Sequence, residues 1–571
     1  MTAFVSLAEL VARIPAGARL AVGGHHFARL PMAALRALCA SPAGGLRWFS
    51  WGGGLPLEML IEAGKVGRID LCFSSLDLFG LPPRFRAAAE AGTIPVADWP
   101  ALAMIGALEA AMRNLPAMPV QLPLGSDLAT ACPGLAPAGD GRTAMAAAVR
   151  PDVALLHAPF ADAEGNVAIH GACALDVLLA GAARQVLVTV EEIVPRGALA
   201  RMGRLTVIPR TQVSAIAHVP EGAAPASCLP HYVTDWKAIA GLLAGDSQIA
   251  EPAPVPGLLR RAAGVAEVDP GDFRIPAAGP AGVDEIMAVR LSRMLDDTAF
   301  ASAGAVSPLA NVAYRLAKAT HAPHLMLATF TAGHVDVPGA ALTLSLYEAV
   351  DAAQAAAHAG GEDTYAAWYQ AGRVTHEIIG AAQIDRLGRV NNLMLTRPSG
   401  GRLRLAGQGG MADVANMHAH SVLYVTRHSP QSVVDRVAVA SSARGVSGRD
   451  REAAGYRPGR VMVLTNLCLF EADETTGELV VTERMPGVTA ADIAEASGFA
   501  PRFAGDCPEI ALPDAATLAL LRERIDPLGL RRTEFVPARD RTALLDAIIA
   551  RDLEGTAAAT SLTEMRSHRH G

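Results

Sequence analysis

The chain has only seven cysteines in 571 residues. None sits in a Cys-x-x-Cys step or at metal-ligand spacing, which argues against a disulfide framework and against a structural zinc site. They read as reduced, mostly buried thiols. Although 51% of the residues are hydrophobic, no uninterrupted apolar run reaches the roughly 18 to 20 residues that span a bilayer, so a soluble protein is expected. Met1 to Arg13 has an amphipathic helical pattern and no basic segment ahead of an apolar core. No secretory signal is read there, and a cytoplasmic location is expected. Excess positive charge is also missing. A net charge of −7 and a pI near 6.2 leave no basic field to hold nucleic acid, so small molecules are the expected partners.

What is present is length enough for at least two cores. Short apolar runs (Leu20 to Val22, Leu46 to Phe49, Val153 to Leu156, Gln185 to Val190 and Leu205 to Ile208) alternate with helical stretches such as Met32 to Ala40 and Leu57 to Ala63. Apolar strands separated by helices predict an α/β fold with a mostly parallel sheet covered on both faces. The pattern dissolves over 246–281, where Glu251 to Pro256 and Pro276 to Gly282 are too rich in proline and glycine for a regular element. Alternation then resumes: a helix from Asp284 to Leu295, strands at Ala299 to Ala303, Leu325 to Leu327 and Val461 to Leu464, and a helix from Leu309 to Ala319. The expected units are therefore domains over 1–245 and 282–530, a linker over 246–281, and a tail over 531–571 with a helix from Ala543 to Leu553.

The most informative stretch is Gly407-Gln408-Gly409-Gly410. Three glycines in four positions let several backbone N–H groups approach one phosphate, carboxylate or oxyanion. Upstream of it, Asp385-Arg-Leu-Gly388-Arg-Val390 echoes Asp162-Ala-Glu-Gly165-Asn-Val167. Likewise, Leu20-Ala-Val-Gly23-Gly24 before one helix resembles Phe300-Ala-Ser-Ala-Gly304 before another. The two halves thus read as related α/β domains whose sheet ends can share a cleft.

With these motifs the chain resembles the family I coenzyme A transferases of the glutaconate CoA-transferase type, with A-like and B-like subunits joined in that order in one polypeptide. Gly23-Gly24, Gly52 to Gly54, Phe73-Ser74-Ser75, Asp162 to Asn166 and Glu191-Glu192 are A-like; Gly380 to Asp385, Gly407 to Gly410 and Met485 to Thr489 are B-like. The resemblance implies an enzyme that moves CoA between carboxylic acids through a glutamate nucleophile in an inter-domain cleft. It also implies acyl-CoA and carboxylic acids as partners, no cofactor beyond CoA as substrate, and self-association. Backbone donors for the oxyanions are expected at Gly23, Gly24, Gly407, Gly409 and Gly410, where losing one donor costs on the order of 3 kcal/mol.

This sequence departs from the resemblance at the nucleophile. Thr331, or in another alignment Phe330, stands where glutamate is expected, which opens hydrolysis of a thioester or of a CoA-linked diketone, or a non-catalytic CoA-binding role, as alternatives. Asp98 is then the candidate base, or a cap for the helix starting near Ala101. His25 and His26 are candidate acid–base groups, and Ser74 and Ser75 candidate substrate ligands or helix caps. Arg84 and Arg86 read as solvated surface, and His418 with His420 as a weak pair with no third metal ligand.

Overall fold

The computed structural model describes residues 2–552 apart from 172, 204, 245–278, 305–306, 330–332, 343, 345–354, 398–399, 447–449 and 538. The linker 246–281 therefore lies almost entirely outside the described residues.

The first half builds one sheet from seven principal strands: β1 Arg19–Val22, β2 Leu46–Phe49, β3 Val66–Leu71, β4 Val96–Asp98, β5 Val153–Asp162, β6 Gln185–Val194 and β7 Ala215–His218. Their order in space is β7-β6-β5-β1-β2-β3-β4, and every pair in that path is parallel. All ten residues of β5 are buried, as a strand covered by helices on both faces requires. It runs six residues beyond the expected Val153 to Leu156. Four helices matter for the site: α1 Met32–Ala40, α2 Gly54–Glu62, α3 Ala101–Met112 and α4 Asp176–Ala182. The sequence places the start of α2 three residues late, at Leu57, because its first turn is Gly54-Leu-Pro56 and its cap comes from elsewhere. Gly54 N–H donates to Ser74 Oγ at 3.1 Å.

The second half repeats the plan with β8 Phe300–Ala303, β9 Met326–Thr329, β10 His376–Gly380, β11 His420–Val425 and β12 Val461–Thr465, ordered β12-β11-β10-β8-β9 and all parallel. The helix α5 Pro308–Ala319 follows β8 as α1 follows β1, with proline in its first turn where the missing N–H is harmless. Strand for strand, β7-β6-β5-β1-β2 maps onto β12-β11-β10-β8-β9. The echoed turns agree in atomic detail. Asp162 Oδ1 accepts from the N–H of Glu164 and Asn166 at 3.0 and 2.9 Å, and Asp385 Oδ1 accepts from Leu387 and Arg389 at 3.0 and 3.1 Å. Gly165 (φ 94°) and Gly388 (φ 71°) both take the left-handed backbone that closes such a turn. Shared strand order and shared turn chemistry make the halves related in structure.

One buried apolar cluster runs from Leu35 and Leu57 in the first half to Leu309 and Leu316 in the second. The closing helix over 539–552 joins it through Leu544, Leu545 and Ile548, so that stretch is part of the core. Polar seams reinforce the join. Asp127 N–H donates to Ala440 O at 2.8 Å while Ala440 N–H donates back to Asp127 Oδ2 at 2.9 Å. Among the described residues no helix is long and apolar enough to cross a membrane.

Candidate active site

The carboxyl ends of β1, β2 and β3 open onto a cavity of about 690 Å³, mouth included. Its wall carries Gly23, Gly24, His25 and His26 after β1, Trp51 to Gly54 after β2, Phe73 and Ser75 after β3, and Ala174 to Asp176 at the start of α4. Gly361 closes it from the second half. Parallel sheets place ligand-facing groups at this end, because successive loops diverge there and leave a crevice.

The turn bearing the histidines is held from below. His25 and Ala28 exchange backbone hydrogen bonds of 2.9 and 2.7 Å, which forces the chain back on itself within four residues. Gly24 (φ 79°) makes that reversal possible, since a Cβ there would lie 2.6 Å from the carbonyl oxygen of Arg29. Arg29 and Asp176 then form a buried ion pair of 2.5 Å, with 2% and 1% of each side chain exposed. Asp176 Oδ1 also accepts from Gly24 N–H at 2.9 Å. Two charges survive there because each satisfies the other and the turn.

His25 and His26 both reach the cavity, their rings edge-on at 3.9 Å. Burial, aided by the nearby charges of His26, Arg29 and His334, pushes His25 well below the usual imidazole range, so it is neutral. His26 Nδ1 pairs with Asp77. From the second half, His334 is buried and pushed down to about 3 by desolvation and by His358 and Arg315. The cavity wall thus offers the neutral imidazole of His25.

The glycine expectation needs correction. Gly23 N–H donates to Leu155 O at 3.0 Å and Gly24 N–H to Asp176, so neither is available to an oxyanion. Gly407 N–H donates to Asn392 O and Gly409 N–H to Cys72 O, each at 3.1 Å, whereas no partner is seen for the Gly410 N–H among the described residues, and Gly410 abuts the Tyr365 hydroxyl. The Gly407 to Gly410 loop is the seam between halves. It pairs with the backbone of Phe73, whose ring lines the cavity on the other side. Its glycines serve close approach, since a Cβ on Gly407 would lie 2.7 Å from Cys72 O. Gly52, on the cavity wall at the amino end of α2, does keep an N–H without a partner among the described residues. The helix dipole favours negative charge there.

Asp98 also needs correction. Its two oxygens take Arg404 Nη1 and Nη2 at 2.8 and 2.5 Å, a bidentate clamp between the halves, and it does not line the cavity. Both oxygens are engaged by the guanidinium, so the carboxylate serves to join the halves. The helix α3 is capped from the second half, Leu102 N–H donating to Asp413 Oδ2 at 3.0 Å. Ser74 is buried and caps α2, while Ser75 reaches the cavity wall. Arg84 is bound to Glu62, and Arg86 lies 3.7 Å from Glu90. Glu191 is an internal hub, accepting from His157 at 2.7 Å, from Tyr232, and from the N–H of Glu221 and Gly222. His418 and His420 face different neighbours: the first approaches Glu377 at 3.4 Å, and the second stacks on His376 at 4.4 Å. Thr331 and Phe330 lie outside the described residues. Missed from the sequence were Arg29, Asp176 and Gly361. The signal for the last was the pair Gly360-Gly361 ahead of Glu362.

Comparison with known proteins assigns this architecture. The sequence pattern described as Coenzyme A transferase matches residues 4–218 and again 307–496, one match in each half. The chain belongs to the coenzyme A transferase family. It is 32% identical over 244 residues to the B-type subunit of the 3-oxoadipate CoA-transferase of Pseudomonas knackmussii, covering 42% of this chain and 91% of that one. It is also 32% identical over 233 residues to the cholesterol ring-cleaving hydrolase IpdA subunit of Rhodococcus jostii, covering 38% and 78%. The crystal structure of an acyl-CoA transferase from Escherichia coli superimposes with a TM-score of 0.64 over 90% of this chain and 96% of that chain. At 17% identity this shows the shared fold. Within this family the present chain is an enzyme with A-like and B-like halves fused.

Proposed function

We propose that this coenzyme A transferase family member binds an acyl-CoA thioester in the cavity at the ends of β1, β2 and β3 and moves CoA to a carboxylic acid. The observation that carries this reading is the cavity itself. It combines a partner-free N–H at Gly52, neutral His25 and a closing residue from the other half, Gly361. Such donors stabilise the oxyanion formed when a thioester carbonyl is attacked. The chemistry calls for no cofactor beyond CoA as substrate. The seven unpaired cysteines fit a reducing, cytoplasmic setting.

Hydrolysis is the second reading, favoured by one fact. Phe330-Thr331-Ala332 carries no carboxylate at the place where the family resemblance expects one, and water then takes the acceptor's role. Incubation with short acyl-CoAs, with and without carboxylic acids, separates the two by chromatography. Transfer gives new thioesters only when an acid is present. Hydrolysis gives free CoA without one. A chain that leaves every thioester intact in both arms contradicts both readings.

A further inference from the structure

The cavity at the ends of β1, β2 and β3 is faced mainly by hydrocarbon. Trp48, Trp51 and Phe73 line it together with Leu30, Leu175 and Leu179. Trp48 lies on β2, Trp51 in the loop after it and Phe73 in the loop after β3, so the rings come from neighbouring strands. Gly52 and Phe73 pair as one parallel bridge, and a Cβ on Gly52 would lie 3.4 Å from the Phe73 ring. A carbonyl held at the Gly52 N–H therefore sets its acyl carbons beside that ring.

Charge is matched before any guest arrives. Among the described residues no arginine or lysine lines the cavity, and Phe330-Thr331-Ala332, outside the described residues, has none to add. Asp176 on the wall is paired with Arg29, and His26 is paired with Asp77. His25, buried among other cationic and imidazole groups, is neutral. A second carboxylate carried in by the substrate would meet Asp176, of like sign, and no cation left to receive it. Burying an unpaired carboxylate costs far more than apolar contacts return, whereas each buried CH₂ strengthens binding about fourfold.

We infer that the acyl group accepted here ends in hydrocarbon: the substrate is the CoA thioester of a short monocarboxylic acid, and thioesters carrying a second carboxylate are rejected. This inference rests on the acyl-CoA reading proposed above and adds to it the class of acyl group. Trp48, Trp51 and Phe73 form the wall that selects.

The test is turnover of propionyl-, butyryl-, pentanoyl- and glutaryl-CoA, with and without acetate as acceptor, read as free CoA and acetyl-CoA. From propionyl to pentanoyl, kcat/KM is expected to rise about fourfold per CH₂. Glutaryl-CoA, with as many acyl carbons as pentanoyl-CoA, is expected to fall roughly 10²-fold below it. Phe73→Arg sets a cation on the wall and is expected to narrow that gap roughly tenfold. Ser75→Lys, on the same wall, reads the same ratio if the arginine variant does not fold. Glutaryl-CoA turned over as fast as pentanoyl-CoA by wild type, or a ratio that neither variant shifts, overturns the inference and leaves acyl-CoA turnover standing. Absence of turnover for every thioester in both arms overturns the turnover reading, and the non-hydrolysable thioether analogues of pentanoyl- and glutaryl-CoA then decide this one. Tighter binding of the pentanoyl analogue by roughly 10²-fold upholds the inference, equal affinity overturns it, and binding of neither overturns both.

Discussion

Replacing Asp176 with asparagine is expected to destabilise the protein by about 3 to 5 kcal/mol, because it breaks a buried ion pair with Arg29 by removing one of its two charges. The same change weakens the hold on Gly24 N–H and so loosens the turn carrying His25 and His26. Acyl-CoA turnover should fall with stability, since both histidines face the cavity from that turn. Chemical denaturation of the variant, with the midpoint compared at constant slope, reads the first effect. Replacing Arg29 and Asp176 together by apolar residues of similar volume should recover most of the loss, because no buried charge is then left alone. An Asp176→Asn variant within 1 kcal/mol of wild type contradicts the pairing.

Removing the clamp between the halves comes second in size. Arg404→Ala leaves Asp98 without its bidentate partner and removes a guanidinium lying 5.2 Å over the Phe85 ring. A loss of about 2 to 4 kcal/mol is expected, since the Arg404 side chain is only 4% exposed and screening is weak. Arg404→Lys should recover little, because an ammonium cannot hold both oxygens of Asp98. The complementary Asp98→Asn separates clamp from base. It should lower stability yet leave turnover in the folded fraction within a few fold of wild type, whereas loss of a general base reduces rate by roughly 10²- to 10⁴-fold. Equilibrium unfolding and initial rates on the same samples check both statements. A stable but inactive Asp98→Asn enzyme sinks the clamp.

The alternation of apolar runs and helical stretches made the α/β plan legible, and the two Asp-x-x-Gly-x-Val turns exposed the repeat in the chain itself. Both signals are local: an aspartate bonding its own following N–H groups needs only four or five residues. The site was legible only as far as the chain segment went. His25 and His26 sit on a turn whose glycines mark it. What those glycines do depends on atoms far away in sequence, because their N–H groups go to Leu155, Asp176, Asn392 and Cys72. The sequence could not show that Gly407 faces the backbone of Phe73, nor that Asp98 meets Arg404 some three hundred residues on. Long-range pairing turned expected anion donors into a seam and an expected base into a clamp.

In the proposed function an acyl-CoA thioester lies in the cavity shared by the β1 turn and Gly361. A crystal structure of the wild-type protein with a non-hydrolysable thioether analogue of a short acyl-CoA tests it directly. The carbonyl oxygen is expected near Gly52 N–H, with the thioether sulfur between His25 and Gly361. Analogue density that leaves this cavity empty, or that seats the acyl group beside Glu377 and His418 in the second half, would contradict it.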